Sequence, residues 1–289
     1  MTKGWLCEIF DSIQGEGIYL GVRQIFLRFA GCNLRCEYCD TPQALRRHKY
    51  CRAMSHESCV MSKIENPMTV DSIIFILKSY LSNIQYPGSN IYHSVSLTGG
   101  EPLLQVDFIK ELIPQLKKLG LKIYLETNGV LPDALKKIVD EVDFIAMDIK
   151  LPTAIGQKLW KEHKKFLKQC AMNYTTTILD RKMRCAPVFV KIVITPRTSG
   201  GEIKKAAELI AEVNREIPLV LQPDSKKRDS PRPAVAGAPT TSSVNSDGPQ
   251  GQSLFYYQEI ASRILKDVRI IPQLHNVSQA ICHLSRPDT

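Results

Sequence analysis

The chain contains no run of about 18 apolar residues, the length a membrane-spanning helix needs, so no transmembrane segment and no membrane association are predicted. Its opening, MTKGWLCEIFDSIQGEG, lacks the apolar stretch of a secretory signal, and the expected compartment is the cytoplasm. No internal repeat is present. An even set of cysteines is also missing: the nine are Cys7, Cys32, Cys36, Cys39, Cys51, Cys59, Cys170, Cys185 and Cys282, and an odd count without an export signal argues against a disulfide framework. Charge is not concentrated either. The 38 basic and 29 acidic side chains give a net +9 that is spread out, with short clusters at Arg46-Arg47-His48-Lys49 and Lys226-Lys227-Arg228. That is too diffuse for a nucleic-acid footprint, though a moderately basic surface suits anionic substrates and acidic redox proteins.

What is present is an ordinary globular composition, 44% apolar over 289 residues, enough for one large α/β domain. Runs rich in Ile, Val and Phe predict strands at 24–29, 93–97, 122–126, 144–148, 188–195, 219–222 and 268–271. Between them, helical spacing predicts helices at 69–80 (capped by Thr69), 107–119 (with Pro114 as a kink), 132–139, 156–170, 201–213 and 254–266. Alternation at this spacing implies βαβ units and a mostly parallel sheet, which places ligands at the carboxyl ends of its strands. Two segments break the rhythm. Residues 41–68 show no clear period and read as a variable loop. Residues 225–253 are rich in Ser, Pro, Gly and charge, and read as a disordered insertion within a single domain spanning 1–289.

Gly31-Cys-Asn-Leu-Arg-Cys-Glu-Tyr-Cys-Asp40 puts three cysteines within eight residues as Cys-x3-Cys-x2-Cys. Three thiolates on a cubane of four irons leave one iron open to an exchangeable ligand, such as the amine and carboxylate of a methionine moiety. The competing reading is a structural zinc site completed by Cys51, His56 or Cys59, although such sites usually show paired Cys-x2-Cys units. Upstream lies Asp11-Ser-Ile-Gln-Gly-Glu-Gly17, where Gln14 and Glu16 suit the donor and acceptor edge of a heterocycle and the glycines suit a plain turn equally well. Arg28 ends a predicted strand and suits either a substrate carboxylate or a structural ion pair. Glu126-Thr-Asn-Gly129 follows a strand and reads as a turn or as a cofactor neighbour. Asp148 and Lys150 share a strand end, where pairing with each other is the plain alternative. Lys191 reads as either inward or exposed, and His275 as structural or substrate-facing.

The cysteine loop with Tyr38, together with Thr98-Gly-Gly-Glu-Pro102, resembles the radical S-adenosylmethionine superfamily. Adding Ser-x-Gln-Gly-Glu-Gly, Arg28 and Asp40-Thr41, the chain closely resembles the 7-carboxy-7-deazaguanine synthase family, densely over 8–41 and in patches to 275. The resemblance implies a partial, open (β/α) barrel and a lyase. It would contract the ring of 6-carboxy-5,6,7,8-tetrahydropterin to 7-carboxy-7-deazaguanine with release of ammonia, on the route to queuosine and related 7-deazaguanines. It implies a [4Fe–4S] cluster on Cys32, Cys36 and Cys39, S-adenosylmethionine and Mg²⁺, with Thr41 as the Mg²⁺ ligand. Substrate contacts carry over to Ile13, Gln14, Gly15, Arg28, Thr98 and His275, with Glu16 adjoining. Cofactor contacts carry over to Tyr38, Cys39, Asp40, Gly100, Asp148, Ile149, Lys150, Gln222, Pro223, Asp224 and Ser225, with Glu126 nearby. An electron donor such as flavodoxin and a homodimer are also implied. The family commonly ends a few residues after its histidine, whereas this chain runs on to Thr289, so the family's terminal-carboxylate contact is either absent or supplied differently and is not assigned. Two other functions compete: an activase that makes a protein glycyl radical, and a zinc or iron–sulfur module without turnover.

Overall fold

The computed structural model describes residues 2–54, 61–82, 91–171, 187–224 and 253–274. The 225–252 part of the expected insertion, His56, Cys59, Ser225 and His275 lie outside them.

Seven strands form one parallel run: β2 (Arg23–Phe29), β5 (Ser94–Gly99), β6 (Ile123–Thr127), β7 (Phe144–Asp148), β8 (Val188–Ile194), β9 (Leu219–Pro223) and β10 (Val268–Ile270). All seven match predicted strands. On the far side of β2 the sheet turns mixed. β1 (Leu6–Ile13) pairs antiparallel with β2, and the hairpin β3 (Tyr50–Met54) and β4 (Met61–Glu65) extends that edge. The order β10-β9-β8-β7-β6-β5-β2-β1-β3-β4 leaves β10 and β4 as edges among the described residues, so the barrel is open.

Helices α1 (Val70–Ser82), α2 (Val106–Lys118), α5 (Trp160–Ala171), α6 (Gly200–Ala211) and α7 (Leu254–Ser262) cover the convex face. Their apolar sides meet the outward residues of the strands in one continuous core that includes Leu97, Leu125, Ile145, Val190, Ile192, Leu219 and Leu221. Start signals behave as expected. Thr69 Oγ1 accepts from Ser72 N (3.2 Å), and Ser199 forms a capping box with Glu202.

The sequence expectations fail in four places. Strand β1 (Leu6–Ile13) was not predicted, and only Leu6, Cys7 and Ile9 along it are buried. The stretch 41–68 contains a 3₁₀ turn at Pro42–Leu45 and the β3–β4 hairpin. Its alternation of exposed Tyr50 and Arg52 with buried Cys51 and Ala53 is short and carried by weakly apolar residues, so period two was not visible. Charges at Arg52 and Lys63 also suit a strand near a sheet edge. The helix expected over 132–139 is a single turn, α3 (Pro132–Leu135), followed by a 3₁₀ turn at Val139–Glu141. The helix expected over 156–170 begins at Trp160. Gly156, at φ +71°, instead ends the short α4 (Pro152–Ile155) in the left-handed conformation that favours glycine.

Candidate active site

Along each parallel strand one residue in two points into the barrel. At the end where the strands begin, these residues are apolar. Tyr124 (β6), Ala146 (β7), Phe189 (β8) and Val220 (β9) pack with Ile18, Tyr19, Phe144 and Ile271. The Tyr19 ring meets Tyr124 edge-on at 5.7 Å and Phe144 at 4.9 Å. Two residues further along the same strands the interior is polar: Glu126, Asp148, Lys191 and Gln222.

That layer is laced together. Glu126 accepts from Gln14 Nε2 (2.8 Å), Ser96 Oγ (3.1 Å) and Thr98 Oγ1 (2.7 Å). Gln14 also donates to Gln24 Oε1 (3.0 Å). Lys191 pairs with Glu16 and lies 3.3 Å from Asp148, which accepts from Lys150 Nζ at 2.6 Å. Glu16 further accepts from Gln222 Nε2 (3.2 Å) and Gln273 Nε2 (2.5 Å), and Gln273 reaches Asp40 at 2.7 Å. Burial works against both ammonium groups, but the carboxylates outweigh it, Asp148 foremost, so Lys150 and Lys191 stay charged above the usual lysine range.

Over this layer hangs the loop after β2 that carries the cysteines. Its base is clamped by the Thr98–Pro102 motif. Gly100 N donates to Phe29 O (3.0 Å), Glu101 N donates to Gly31 O (2.8 Å), and Gly31 N donates to Ala44 O (2.8 Å). A Cβ on Gly100 would meet Gly31 O at 2.1 Å, and Gly99 has φ +118°, so neither position has room for a side chain. The Glu101 carboxylate is wholly buried and accepts from Leu103 N (3.0 Å), Thr127 Oγ1 (2.9 Å) and Asn128 N (2.8 Å). Burial nevertheless pushes its pKa up to about 7. Asn128 then donates to Asn33 Oδ1 at 2.8 Å, tying the cysteine loop to the end of β6.

Of the residues marked in the sequence, Gln14, Glu16, Arg28, Cys32, Cys36, Tyr38, Cys39, Asp40, Thr41, Thr98, Gly100, Glu126, Asp148, Lys150, Gln222, Pro223 and Asp224 line one cavity of about 160 Å³. Three expected contacts stand apart from that wall. Ile149 is buried in the helix-side core because alternation turns it away from Asp148 and Lys150. Ile13 ends β1 opposite Arg23, and Gly15 offers its carbonyl to Leu274 N (3.0 Å). Arg28 forms a structural ion pair and also borders the cavity. Its Nε donates to Glu8 (2.8 Å), its guanidinium stacks 5.3 Å above Phe10, and Nη1 reaches Thr41 Oγ1 at 3.4 Å on the cavity side. Asp148 and Lys150 do pair, and Lys150 also lies 5.2 Å over the Tyr38 ring.

Sequence reasoning left Lys191 undecided and passed over Glu101, His163 and Gln273. Lys191 had a signal: a single charge inside the uninterrupted apolar run of a parallel strand. His163 had none. Its Nε2 accepts from Lys150 N (3.1 Å) and its Nδ1 donates to Gly129 O (3.2 Å), and burial lowers its pKa to about 4, so it acts as a neutral brace under the β7 end.

Among the described residues no three His, Cys, Asp or Glu side chains converge on one point, as a tetrahedral ion requires. A cubane takes each thiolate on a separate iron, and Cys32, Cys36 and Cys39 all line the one cavity. Cys51, one suggested zinc ligand, is fully buried in the helix-side core, and burial pushes its thiol pKa up to about 12. Burial also raises Cys32 and Cys36, a cost that a bound cluster would offset, since it takes the thiols as thiolates. On the opposite wall Gln222 Oε1 is buried with no hydrogen-bond donor, which a ligand N–H or O–H would supply.

Three thiols lining a polar cavity at the carboxyl ends of an open parallel barrel are the arrangement of a radical S-adenosylmethionine enzyme, and the radical SAM superfamily model matches residues 27–210. The 7-carboxy-7-deazaguanine synthase of Geobacter sulfurreducens is 37% identical over 93% of this chain and 94% of its own length. That of Methanothermobacter thermautotrophicus is 33% identical over 78% of this chain and 84% of its own. The chain belongs to the 7-carboxy-7-deazaguanine synthase family. The crystal structure of QueE from Escherichia coli has the same kind of fold, with a TM-score of 0.50 at 20% identity over 77% of this chain and 85% of that one.

Proposed function

We propose that the cavity converts 6-carboxy-5,6,7,8-tetrahydropterin to 7-carboxy-7-deazaguanine and ammonia, with its polar layer reading the pterin and its thiol loop holding the cluster. The observation that carries this is the hydrogen-bonded set Gln14–Glu126–Thr98 beneath the three thiols. A half-buried carboxylate already fed by amide and hydroxyl donors suits the N–H and NH₂ edge of a pterin ring. Glu126 shares its partners with Gln14 and Thr98, so its role belongs with the substrate contacts rather than with the cofactor stretch.

The cluster and S-adenosylmethionine, when bound, supply a one-electron reductive cleavage that yields a hydrogen-abstracting alkyl radical. Cys32, Cys36 and Cys39 hold the cluster. Tyr38, Asp40, Gly100, Asp148, Lys150 and the 222–225 stretch hold S-adenosylmethionine. Arg28, with Nε on Glu8, turns Nη1 towards a substrate carboxylate. Thr41 Oγ1, which donates to Asp40 Oδ1 at 2.9 Å, would be the protein's ligand to Mg²⁺. The aromatic plug at Tyr19, Tyr124 and Phe189 keeps water out from below. The expected setting is cytoplasmic, as a homodimer served by a flavodoxin-like donor. Among the described residues no helix is long and apolar enough to cross a membrane.

The test is anaerobic reconstitution with iron and sulfide, then addition of reductant, S-adenosylmethionine, Mg²⁺ and the pterin. A brown protein that forms the 7-deazaguanine is expected. A colourless protein that retains zinc would refute the reading, and a cluster that releases only uncoupled 5′-deoxyadenosine would favour an activase.

A further inference from the structure

We propose that Gln273 is a positioning residue that couples the two halves of the cavity, so that the pterin and S-adenosylmethionine each bind more tightly when the other is in place. This rests on the substrate reading given above. Gln273 lies just past β10 and lines the cavity. Its Nε2 donates to Glu16 Oε1 at 2.5 Å and to Asp40 Oδ2 at 2.7 Å. Ionised carboxylates only accept, so an amide NH₂ with two N–H groups can hold one on each side without adding charge. The two carboxylates come from different elements. Glu16 stands in the turn after β1, with its N–H on Gln14 Oε1 (3.1 Å) and Gln14 Nε2 on Glu126 (2.8 Å), which places it on the substrate side. Asp40 directly follows Cys39 and accepts from Thr41 Oγ1 at 2.9 Å, which places it on the cysteine loop.

The amide's part is separable from that of the backbone around it. Ile271 N donates to Leu221 O (3.2 Å) and Leu274 N donates to Gly15 O (3.0 Å), so the segment crosses from β10 to the turn after β1 on main-chain bonds that outlast a change of side chain. The Ile271 side chain also packs against the aromatic plug. What the amide adds is the tie to the cysteine loop. Gln222 Nε2 also reaches Glu16 from the cofactor side, at 3.2 Å, but it does so from β9, inside the sheet, whereas Asp40 belongs to a loop. A ligand that orders Asp40 orders the amide and Glu16 with it, and the second ligand then meets a wall already set. By linkage the effect is reciprocal. A plain scaffolding role would weaken both ligands and leave their effect on each other unchanged.

The experiment uses the reconstituted holoenzyme with Mg²⁺, its cluster oxidised and no reductant, so that both ligands bind without turnover. Calorimetry under anaerobic conditions gives the Kd of 6-carboxy-5,6,7,8-tetrahydropterin without and with saturating S-adenosylmethionine, and the converse, for wild type and Gln273→Met. Iron content and far-ultraviolet circular dichroism are checked for each. In wild type each ligand is expected to tighten the other about fivefold or more. Gln273→Met keeps the chain length and removes both donors, and there the factor should fall to within about twofold of unity. An uncoupled wild type, or wild-type coupling in Gln273→Met even where both affinities drop, would overturn the proposal. If Gln273→Met does not hold its cluster, Gln273→Asn carries the same comparison, because its amide is one methylene short of bonding both carboxylates. Failure of the underlying reading shows separately: a wild type that binds S-adenosylmethionine but not the pterin removes the substrate assignment itself, whereas pterin binding with unaltered coupling in the variant removes Gln273 alone.

Discussion

Four strands of the barrel carry the same contrast two residues apart: Tyr124 and Glu126, Ala146 and Asp148, Phe189 and Lys191, Val220 and Gln222. Two residues of strand advance the chain by about 6.6 Å, so an apolar layer and a charged layer lie one side chain apart. The lower layer is held by area and shape, and any well-fitting apolar residue can contribute. The upper layer is held by reciprocal hydrogen bonds and ion pairs, each of which depends on one particular side chain. The first kind of packing fails gradually and the second abruptly.

The largest break should come at the thiol loop. Cys36→Ala is expected to abolish cluster binding and all turnover, read by iron content, the visible spectrum and product formation. In the lower layer, Phe189→Ala should cost about 3–5 kcal/mol of stability by chemical denaturation, while the protein that remains folded still binds its cluster. Equal loss of cluster in both variants would erase the distinction between the two layers.

Glu101 sharpens it further. Its folded pKa of about 7 lies above the ordinary 4.5, so its contribution to stability is full below about pH 4.5 and is lost as pH rises through about 7. That amounts to roughly 2–4 kcal/mol between the two limits. Glu101→Gln does not titrate, so the stability difference between wild type and variant should narrow from pH 5 to pH 8 in thermal unfolding. A constant difference would show that burial does not hold this carboxyl protonated. Thr41→Ala should keep the cluster but weaken the Mg²⁺ dependence of turnover several-fold, and an unchanged Mg²⁺ response would remove Thr41 as its ligand. The smallest effect belongs to the surface. Lys117 and Glu141 pair across exposed side chains, and Glu141→Gln should move stability by less than about 0.5 kcal/mol.

Much of this was legible beforehand where a local pattern and a local constraint coincide. The Cys-x3-Cys-x2-Cys spacing, the paired glycines of Thr98–Pro102 and the apolar runs of the parallel strands each state their requirement within a few residues. The β3–β4 hairpin was missed because Tyr50-Cys-Arg-Ala-Met54 alternates without strong apolar residues, and the strand it docks on, β1, is distant in sequence. The helix start at Trp160 was misplaced because Gly156 serves equally as an end or a beginning until its backbone angle is known.

By itself, the sequence determined that this chain builds a parallel α/β sheet, gathers three thiols in one loop and resembles the deazaguanine synthases. Those properties depend on composition, period and short spacings. The tertiary structure alone decided that Lys191 faces Glu16 from 175 residues away, that Glu101 clamps the cysteine loop from within the core, and that Glu126 stands with Gln14 and Thr98. A buried charge finds its partner through the register of neighbouring strands and the closure of the barrel. Neither is written in any stretch of chain short enough to read.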